Sequence, residues 1–224
     1  MRYGKSIGTK YHQDGSIRRF PGNTVVADVT PDCITYPIVT QVRDMIKNSP
    51  LEKYYAFLPN DSFHMTLFNG LNDQQRDETR WPPAFPKDAT MEQADDFFTN
   101  AINAVKLPKN PRMKFREVSI TDSTIKLLLD PADEEQNKIL RAFRDRAAEN
   151  IGLFISNHKN YNFHISLAYT YIIPEGEDAT LLPKIKAEID AILKKAPAFE
   201  IGEPYIAYFD DMNAFSPTKI SRKA

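Results

Sequence analysis

The sequence of 224 residues predicts an α+β fold. Helical and strand-like apolar patterns alternate along the chain, as they do in mixed folds. Runs 54–58 and 63–68 are neighbours, and runs 113–120 and 124–129 are separated by a short turn, so both pairs require antiparallel strands. The composition, 42% hydrophobic and 26% charged residues, is that of an ordinary folded protein.

The first half of the chain predicts the order β-α-β-β after a polar, turn-rich leader segment at 1–22. Residues 24–29 are β-branched and predict a strand. Residues 38–46 have apolar side chains at helical spacing and end before a Ser-Pro pair. Residues 54–58 and 63–68 are short apolar runs closed by turn residues, which predicts two further strands.

An irregular loop and a helix are expected in the middle of the chain. Residues 71–90 are polar and broken by prolines, which is typical of a long functional loop. Residues 94–105 have a helical apolar stripe that prolines terminate. The strands 113–120 and 124–129 then form the hairpin named above.

The last third repeats the strand and helix alternation. A helix is predicted at 131–147, with Pro in its first turn, followed by a strand at 162–169. A second helical stripe covers 182–196, and a final strand covers 205–209. Because no linker-like composition interrupts the chain, we expect 1–224 to be a single bilobal domain.

Charge and cysteine content exclude several classes of protein. With 29 basic and 30 acidic side chains the net charge is -1, so the chain lacks the basic surface of a general nucleic-acid binder. Cys33 is the single cysteine, which excludes an internal disulfide and a cysteine-built zinc site. No secretory signal or apolar run of about 20 residues is evident, so we expect a cytoplasmic protein, a monomer without a membrane partner.

One five-residue pattern, Phe-His-apolar-hydroxyl-Leu, occurs twice, at 63–67 and 163–167, which are 100 positions apart. Both copies lie in predicted strands, where side chains two positions apart share a face. Each copy therefore presents an imidazole next to a hydroxyl. The four side chains are His64, Thr66, His164 and Ser166.

Two imidazoles with two hydroxyls, brought into one cleft by a pseudo-twofold packing of the lobes, suit cleavage of a phosphodiester. One histidine deprotonates water, and the other protonates the leaving oxygen. The hydroxyls donate hydrogen bonds to the negative charge that develops on phosphate, so neither a metal nor a cofactor is required. A single His-x-Ser/Thr triplet is a weak signal, but two copies that match at five positions favour the functional interpretation.

With this duplicated motif the sequence resembles the 2H phosphoesterase superfamily, which includes RNA 2',3'-cyclic phosphodiesterases historically called 2'-5' RNA ligases. The resemblance implies two antiparallel-rich sheets related by a pseudo-twofold, helices packed outside, and a central cleft with both histidine strands. It implies that His64 and His164 are catalytic and that Thr66 and Ser166 contact the phosphate. The leader and the loop around Trp81 indicate an uncharacterised subgroup.

The sequence thus predicts a metal-independent phosphodiesterase that hydrolyses a cyclic (2',3'-type) or 2'-5'-linked nucleotide or an RNA-terminal phosphodiester. Weaker candidates for substrate binding are the aromatic and basic residues Tyr11, Arg80, Trp81 and Tyr169. Strict alternation along the strand places Tyr169 on the face opposite His164.

Three alternatives stay open at this stage. The first is a catalytically silent module of the same fold that binds a nucleotide or RNA. The second is a purely structural interaction domain. The third is a zinc site, although no His-x-x-x-His helix or cysteine pair supports it. Its imagined ligands are His64, His164, His158 and Asp61.

Overall fold

The computed structural model describes residues 1–222, and this range contains four α-helices and an eight-stranded antiparallel sheet. The α+β prediction is confirmed. The strands are β1 (Gly22–Asp28), β2 (Tyr55–Phe57), β3 (His64–Asn72), β4 (Arg112–Ile120), β5 (Thr124–Pro131), β6 (Phe163–Thr170), β7 (Phe199–Glu200) and β8 (Tyr205–Phe209). The helices are α1 (Tyr36–Lys47), α2 (Met91–Asn103), α3 (Glu134–Ile151) and α4 (Gly176–Leu193).

Local sequence explains where the helices start and stop. Thr90 and Gln93 form a capping box at the start of α2. Asp133 caps α3 by accepting from the backbone of Gln136, and Gly152 ends that helix with a φ of 74°. The predicted start of α3 near Pro131 was therefore too early, because that proline still belongs to β5.

The strand order is β7-β4-β5-β6-β3-β1-β8, with β2 also paired to β6. Where the sequence predicted two sheets, the structure has one. The halves are joined because β3 and β6 lie side by side and pair through Met65 and Ile165. The same edge of β6 is occupied further along by β2, which pairs with residues 168–170 and keeps the β3–β6 contact short. The predicted antiparallel pairing of runs 54–58 and 63–68 is therefore wrong, because both strands pair with β6 instead.

Both histidine strands contain a β-bulge in the same place. The pairing of β1 with β3 shifts register between Val25 and Val26, so Leu67 is the extra residue on β3. The pairing of β5 with β6 shifts between Ile125 and Lys126, so Leu167 is the extra residue on β6. Each bulge reverses the alternation of side chains beyond it, and this determines which residues reach the face that carries the histidines.

Each bulge carbonyl has its own hydrogen-bond donor. The oxygen of Leu67 accepts from Nη1 of the buried Arg144 at 2.6 Å. The oxygen of Leu167 accepts from the backbone N–H of Leu58 at 2.9 Å. Satisfied carbonyls stabilise an irregularity that would otherwise leave buried acceptors unpaired.

The segment before β1 packs onto the sheet. Gly4 donates from its backbone to Tyr171 at 2.9 Å, and the hydroxyl of Ser6 donates to the carbonyl of Ser123 at 3.0 Å. The side chains of Tyr11 and Phe20 are buried. These contacts hold the segment close to the end of β6, where it contributes Lys10 to the cavity described below.

The residues after β3 form an irregular loop, in which 73–90 contain neither helix nor strand. Trp81 anchors this loop. Its indole is fully buried, and its N–H donates to the carbonyls of Phe85 and Pro86 at 3.2 and 3.1 Å. Arg76 lies over the ring at 4.5 Å from its centroid. No helix in the described part of the chain is both long and apolar enough to cross a membrane.

Candidate active site

A cavity of about 400 Å³ opens on the face where β3 and β6 meet. All four side chains of the duplicated motif line it, since β3 provides His64 and Thr66 while β6 provides His164 and Ser166. Extending the Met65–Ile165 register puts His64 across from Ser166, and His164 across from Thr66. The histidines are therefore diagonal neighbours, a relation in which residues lie about 7–8 Å apart. That spacing leaves room for one phosphate between the two rings.

Both imidazoles are held by the same local hydrogen bond. Nδ1 of His64 lies 2.8 Å from the carbonyl oxygen of Ser62, and Nδ1 of His164 lies 2.8 Å from that of Asn162. A carbonyl only accepts, so Nδ1 carries the proton in each ring. The neutral rings therefore expose the lone pair of Nε2, which can take a proton, and the protonated rings expose an Nε2–H donor.

Burial keeps both imidazoles neutral in the free protein. Desolvation lowers the pKa of His64 to about 4, helped by the positive charge of Lys10 and opposed by the hydrogen bond to Ser62. Desolvation, followed by the charge of Lys126, lowers the pKa of His164 to about 3. Aromatic rings contribute to this environment, because Phe215 lies 4.1 Å from the His64 ring and Tyr161 lies 6.1 Å from the His164 ring.

The cavity is rich in positive charge. Lys10, Arg80 and Lys126 line it, and no Asp or Glu is among its lining residues within 1–222. Nζ of Lys10 donates to the Tyr169 hydroxyl at 2.9 Å and lies 4.5 Å from the centroid of that ring. Burial and the charge of Lys10 lower the pKa of Lys126. An anion is the ligand that this charge distribution favours.

Sequence reasoning missed Lys126. It lies in β5 with no motif around it, and it reaches the cavity because it pairs with Ser166 on the neighbouring strand. For Lys10 the sequence allows a role in neutralising phosphate, although a surface position is the default for a lysine in such a segment. The sequence gives one weak signal for Lys126: this lysine belongs to a predicted strand that could pair with a strand carrying the histidine and hydroxyl motif.

The structure places the four weaker candidates differently. Tyr169 lines the cavity, which corrects the expectation from alternation, because the bulge at Leu167 turns it to the face of His164. Arg80 also lines the cavity. Tyr11 packs against Tyr169, at 5.4 Å between ring centroids, and does not line the cavity itself. Trp81 is fully buried in its loop and is not exposed to a substrate, so its prediction as a substrate-binding residue is wrong.

The four candidate zinc ligands do not come together, because only His64 and His164 line the cavity. His158 and Asp61 are absent from the cavity lining, and Nε2 of His158 lies 2.7 Å from Oδ1 of Asp145. Among residues 1–222 no group of three or more His, Cys, Asp or Glu side chains is arranged to hold a metal ion.

Comparison with known families assigns the chain. A family model named for the 2H phosphodiesterases, and described as a domain of unknown function (DUF1868), matches residues 10–126, just over half of the chain. The chain belongs to this 2H phosphodiesterase family. The resemblance inferred from the duplicated motif is thereby confirmed, and membership supports a phosphodiesterase-type function in general.

The chain is also similar to several solved structures. A conserved protein of unknown function from Agrobacterium tumefaciens str. C58 is 25% identical and has a TM-score of 0.85, over 96% of this chain and 91% of that one. A phosphoesterase is 13% identical with a TM-score of 0.50, over 89% and 95%. E. coli LigT complexed with 3'-AMP is 12% identical with a TM-score of 0.49, over 89% and 96%. No curated protein matches the sequence.

Proposed function

We propose that this 2H phosphodiesterase hydrolyses a cyclic 2',3'-type or 2'-5'-linked phosphodiester of a nucleotide or RNA terminus, with His64 and His164 as general base and acid. One observation carries the proposal. Two imidazoles with the same Nδ1 hydrogen bond share a cavity with two hydroxyls. Each offers Nε2 for proton transfer, which is what the chemistry of this bond requires.

For a 2',3'-cyclic substrate the reaction balances with two proton transfers. Nε2 of the neutral histidine takes a proton from water while the water oxygen bonds to phosphorus. The P–O bond to one ribose oxygen breaks, and the protonated histidine gives its Nε2 proton to that oxygen. A phosphomonoester results. Thr66 and Ser166 donate hydrogen bonds to the nonbridging oxygens as negative charge builds on them.

The roles require one ring to be charged while the other is neutral. A bound phosphodiester brings a negative charge close to both rings, and opposite charge raises the pKa of an imidazole. The lowered pKa values of the free protein are therefore compatible with an acid that acquires its proton together with the substrate.

We further propose that the two halves are related by a pseudo-twofold axis, as the motif suggests. The pairing registers support it, because Thr24 pairs with Asn69 as Thr124 pairs with Tyr169, each residue shifted by 100 positions. The contact through Met65 and Ile165, equivalent residues of the two copies, lies where such an axis would pass. The relation explains why each strand provides one proton-transfer group.

One bilobal domain over 1–224, a cytoplasmic location and a monomeric state remain predictions that form part of this proposal.

A catalytically silent nucleotide-binding module is the second candidate. The specific observation in its favour is that both histidines titrate far below neutral pH in the free protein, so the acid is uncharged before ligand binds.

A turnover screen tests the proposal. Purified protein is incubated with 2',3'-cyclic nucleotides, 2'-5' oligoadenylates, an RNA ending in a 2',3'-cyclic phosphate, ADP-ribose cyclic phosphate and cyclic dinucleotides, each with EDTA present. His64→Asn and His164→Asn are the test variants, and His12→Asn, outside the cavity, is the matched control. We expect turnover that both test variants lose and the control retains. Binding of a cyclic nucleotide without turnover of any substrate would favour the silent module.

A further inference from the structure

Three cations of the cavity have no acidic partner among residues 1–222. Lys10, Arg80 and Lys126 take part in none of the ion pairs found within residues 1–222, although thirteen such contacts occur elsewhere in that range. Partly buried cations without counter-charge are unfavourable in the free protein. A fold that keeps three of them in one cavity of about 400 Å³ is suited to a ligand with several negative charges.

The cations lie at two ends of the cavity. Lys126 lies beside Ser166, its partner in the sheet, and Lys10 bonds to Tyr169 further along the same strand. Mutual repulsion between these two lysines contributes to the lowered pKa of Lys126, which indicates that they are close. Arg80 lies near Tyr161, which precedes His164 along the chain; burial raises the pKa of Tyr161, and the charges of Arg144 and Arg80 oppose that rise.

The hydroxyl of Thr124 adds a neutral donor to the lysine end. Thr124 pairs with Tyr169, two residues before Lys126 on β5, so their side chains share a face, and both line the cavity. A phosphate monoester can accept hydrogen bonds from two ammonium groups and a hydroxyl. Thr124 and Lys10 are both placed at Tyr169, five residues along β6 from His164, where the scissile phosphodiester is proposed to bind.

We propose that Lys10, Thr124 and Lys126 form a second anion subsite, and that the natural substrate has a further phosphate besides the phosphodiester that is cleaved. The inference rests on the proposed function for the position of the scissile group. A simple cyclic phosphodiester has one negative charge, which leaves two of the three cavity cations unmatched. A nucleotide with an additional mono- or diphosphate matches them.

The corresponding segment of the first half lacks this subsite. Val26 occupies the position equivalent to Lys126, and Asn69 that of Tyr169. The cavity is therefore symmetric in its four motif side chains and in Thr24 and Thr124, and it is asymmetric where Lys126 and Tyr169 take the positions of Val26 and Asn69. A substrate would bind in one direction, with its extra phosphate at the lysine end.

The test compares adenosine 2',3'-cyclic phosphate with its 5'-monophosphate and 5'-diphosphate forms. The readout is the ratio of kcat/KM for a 5'-phosphorylated substrate to that for the unphosphorylated one. We expect at least a tenfold preference for a phosphorylated form at low salt, falling as ionic strength rises. Lys10→Met and Lys126→Met should each reduce the preference at least fivefold. Lys114→Met, an exposed lysine of β4 outside the cavity, is the matched control and should keep it.

Calorimetry separates failure of the subsite from failure of the proposed function. The ligands are 3'-AMP and adenosine 3',5'-bisphosphate, which need no turnover. A bisphosphate preference that Lys126→Met removes supports the subsite even if no substrate is cleaved, in which case only the proposed function is wrong. Turnover with the same substrate ratio in the wild type and both lysine variants overturns the subsite and leaves the function intact. If the lysine variants lose the same factor of kcat/KM on all substrates, the subsite proposal is also overturned, because the lysines then act on the scissile group.

Discussion

Binding of phosphate should raise the pKa of His64 from about 4 to near neutrality. The free value is low because the ring is desolvated and faces Lys10, so it has no counter-charge. A unit negative charge at about 4 Å, with an effective dielectric constant near 20, contributes about 4 kcal/mol. At about 1.4 kcal/mol per pKa unit this is about 3 units. His64 would then titrate near pH 7 and His164, which starts at about 3, near pH 6.

NMR titration of the imidazole Cε1–H signals measures both values directly, without and with saturating inorganic phosphate or a nucleoside monophosphate. Assignment uses His64→Asn and His164→Asn, each of which removes one signal. We expect the ring of His64 to take up the first proton, because Lys126 holds the pKa of His164 lower.

Kinetics give the same prediction a second readout. The pH dependence of kcat/KM reports the free enzyme, and that of kcat reports the complex. With free pKa values of about 3 and 4, kcat/KM should fall steadily above about pH 5. The pH profile of kcat should be bell-shaped with its maximum near neutral pH, and the apparent pKa values of its two limbs describe the coupled pair of histidines. If ligand leaves both histidine pKa values below about 5, the reasoning is refuted, and so is a mechanism with a protonated histidine at neutral pH.

Four further outcomes follow from the same geometry. His64→Asn and His164→Asn should each lower kcat by about 10²- to 10⁴-fold, and the double variant should lose far less than the product of both, measured in steady state. Activity should persist in EDTA, since imidazoles and hydroxyls provide the chemistry; rescue by zinc after chelation would instead promote a metal mechanism. A histidine whose pKa is lowered on folding binds a proton more readily in the unfolded chain, so the free energy of unfolding should fall as pH drops from about 6.5 towards 4. At pH 5, His64→Gln should restore up to about 2 kcal/mol of that free energy, measured by chemical denaturation. Fluorescence of Trp81, the single tryptophan, should report unfolding but not respond to nucleotide, because its indole is fully buried away from the cavity.

The parts of the fold that follow from local patterns were predictable. Apolar periodicity located all four helices and most strands, although the ends moved by several residues where caps and prolines decided them. Asp133 caps α3, later than the predicted start at 131, because β5 continues through Pro131. α4 begins at Gly176, before its apolar stripe, and contains Pro183. Such ends depend on backbone hydrogen bonds that composition does not encode.

The part of the site within each motif was also predictable, because side chains two apart on a strand share a face and the motif is repeated. Tyr169 and Lys126 were not. Tyr169 lies beyond the bulge at Leu167, where strict alternation fails. Lys126 reaches the cavity through pairing between strands 40 residues apart in sequence, from Lys126 to Ser166. Register between strands is set by the whole sheet, which a single sequence does not display.

The site residues that could be predicted from the sequence differ in chemical role from those that could not. The repeated polar groups are an imidazole, which can transfer a proton, and a hydroxyl, which can donate to the charge of a phosphodiester. The halves differ at Lys126, whose equivalent is Val26, and at Tyr169, whose equivalent is Asn69, and we propose that these positions face the part of the substrate beyond the scissile phosphate. Substitution within the repeated set should therefore change kcat for every substrate alike. Substitution in the unrepeated set should change the order of preference among substrates, because only the flanks differ between the two directions in which a phosphodiester could enter the cavity.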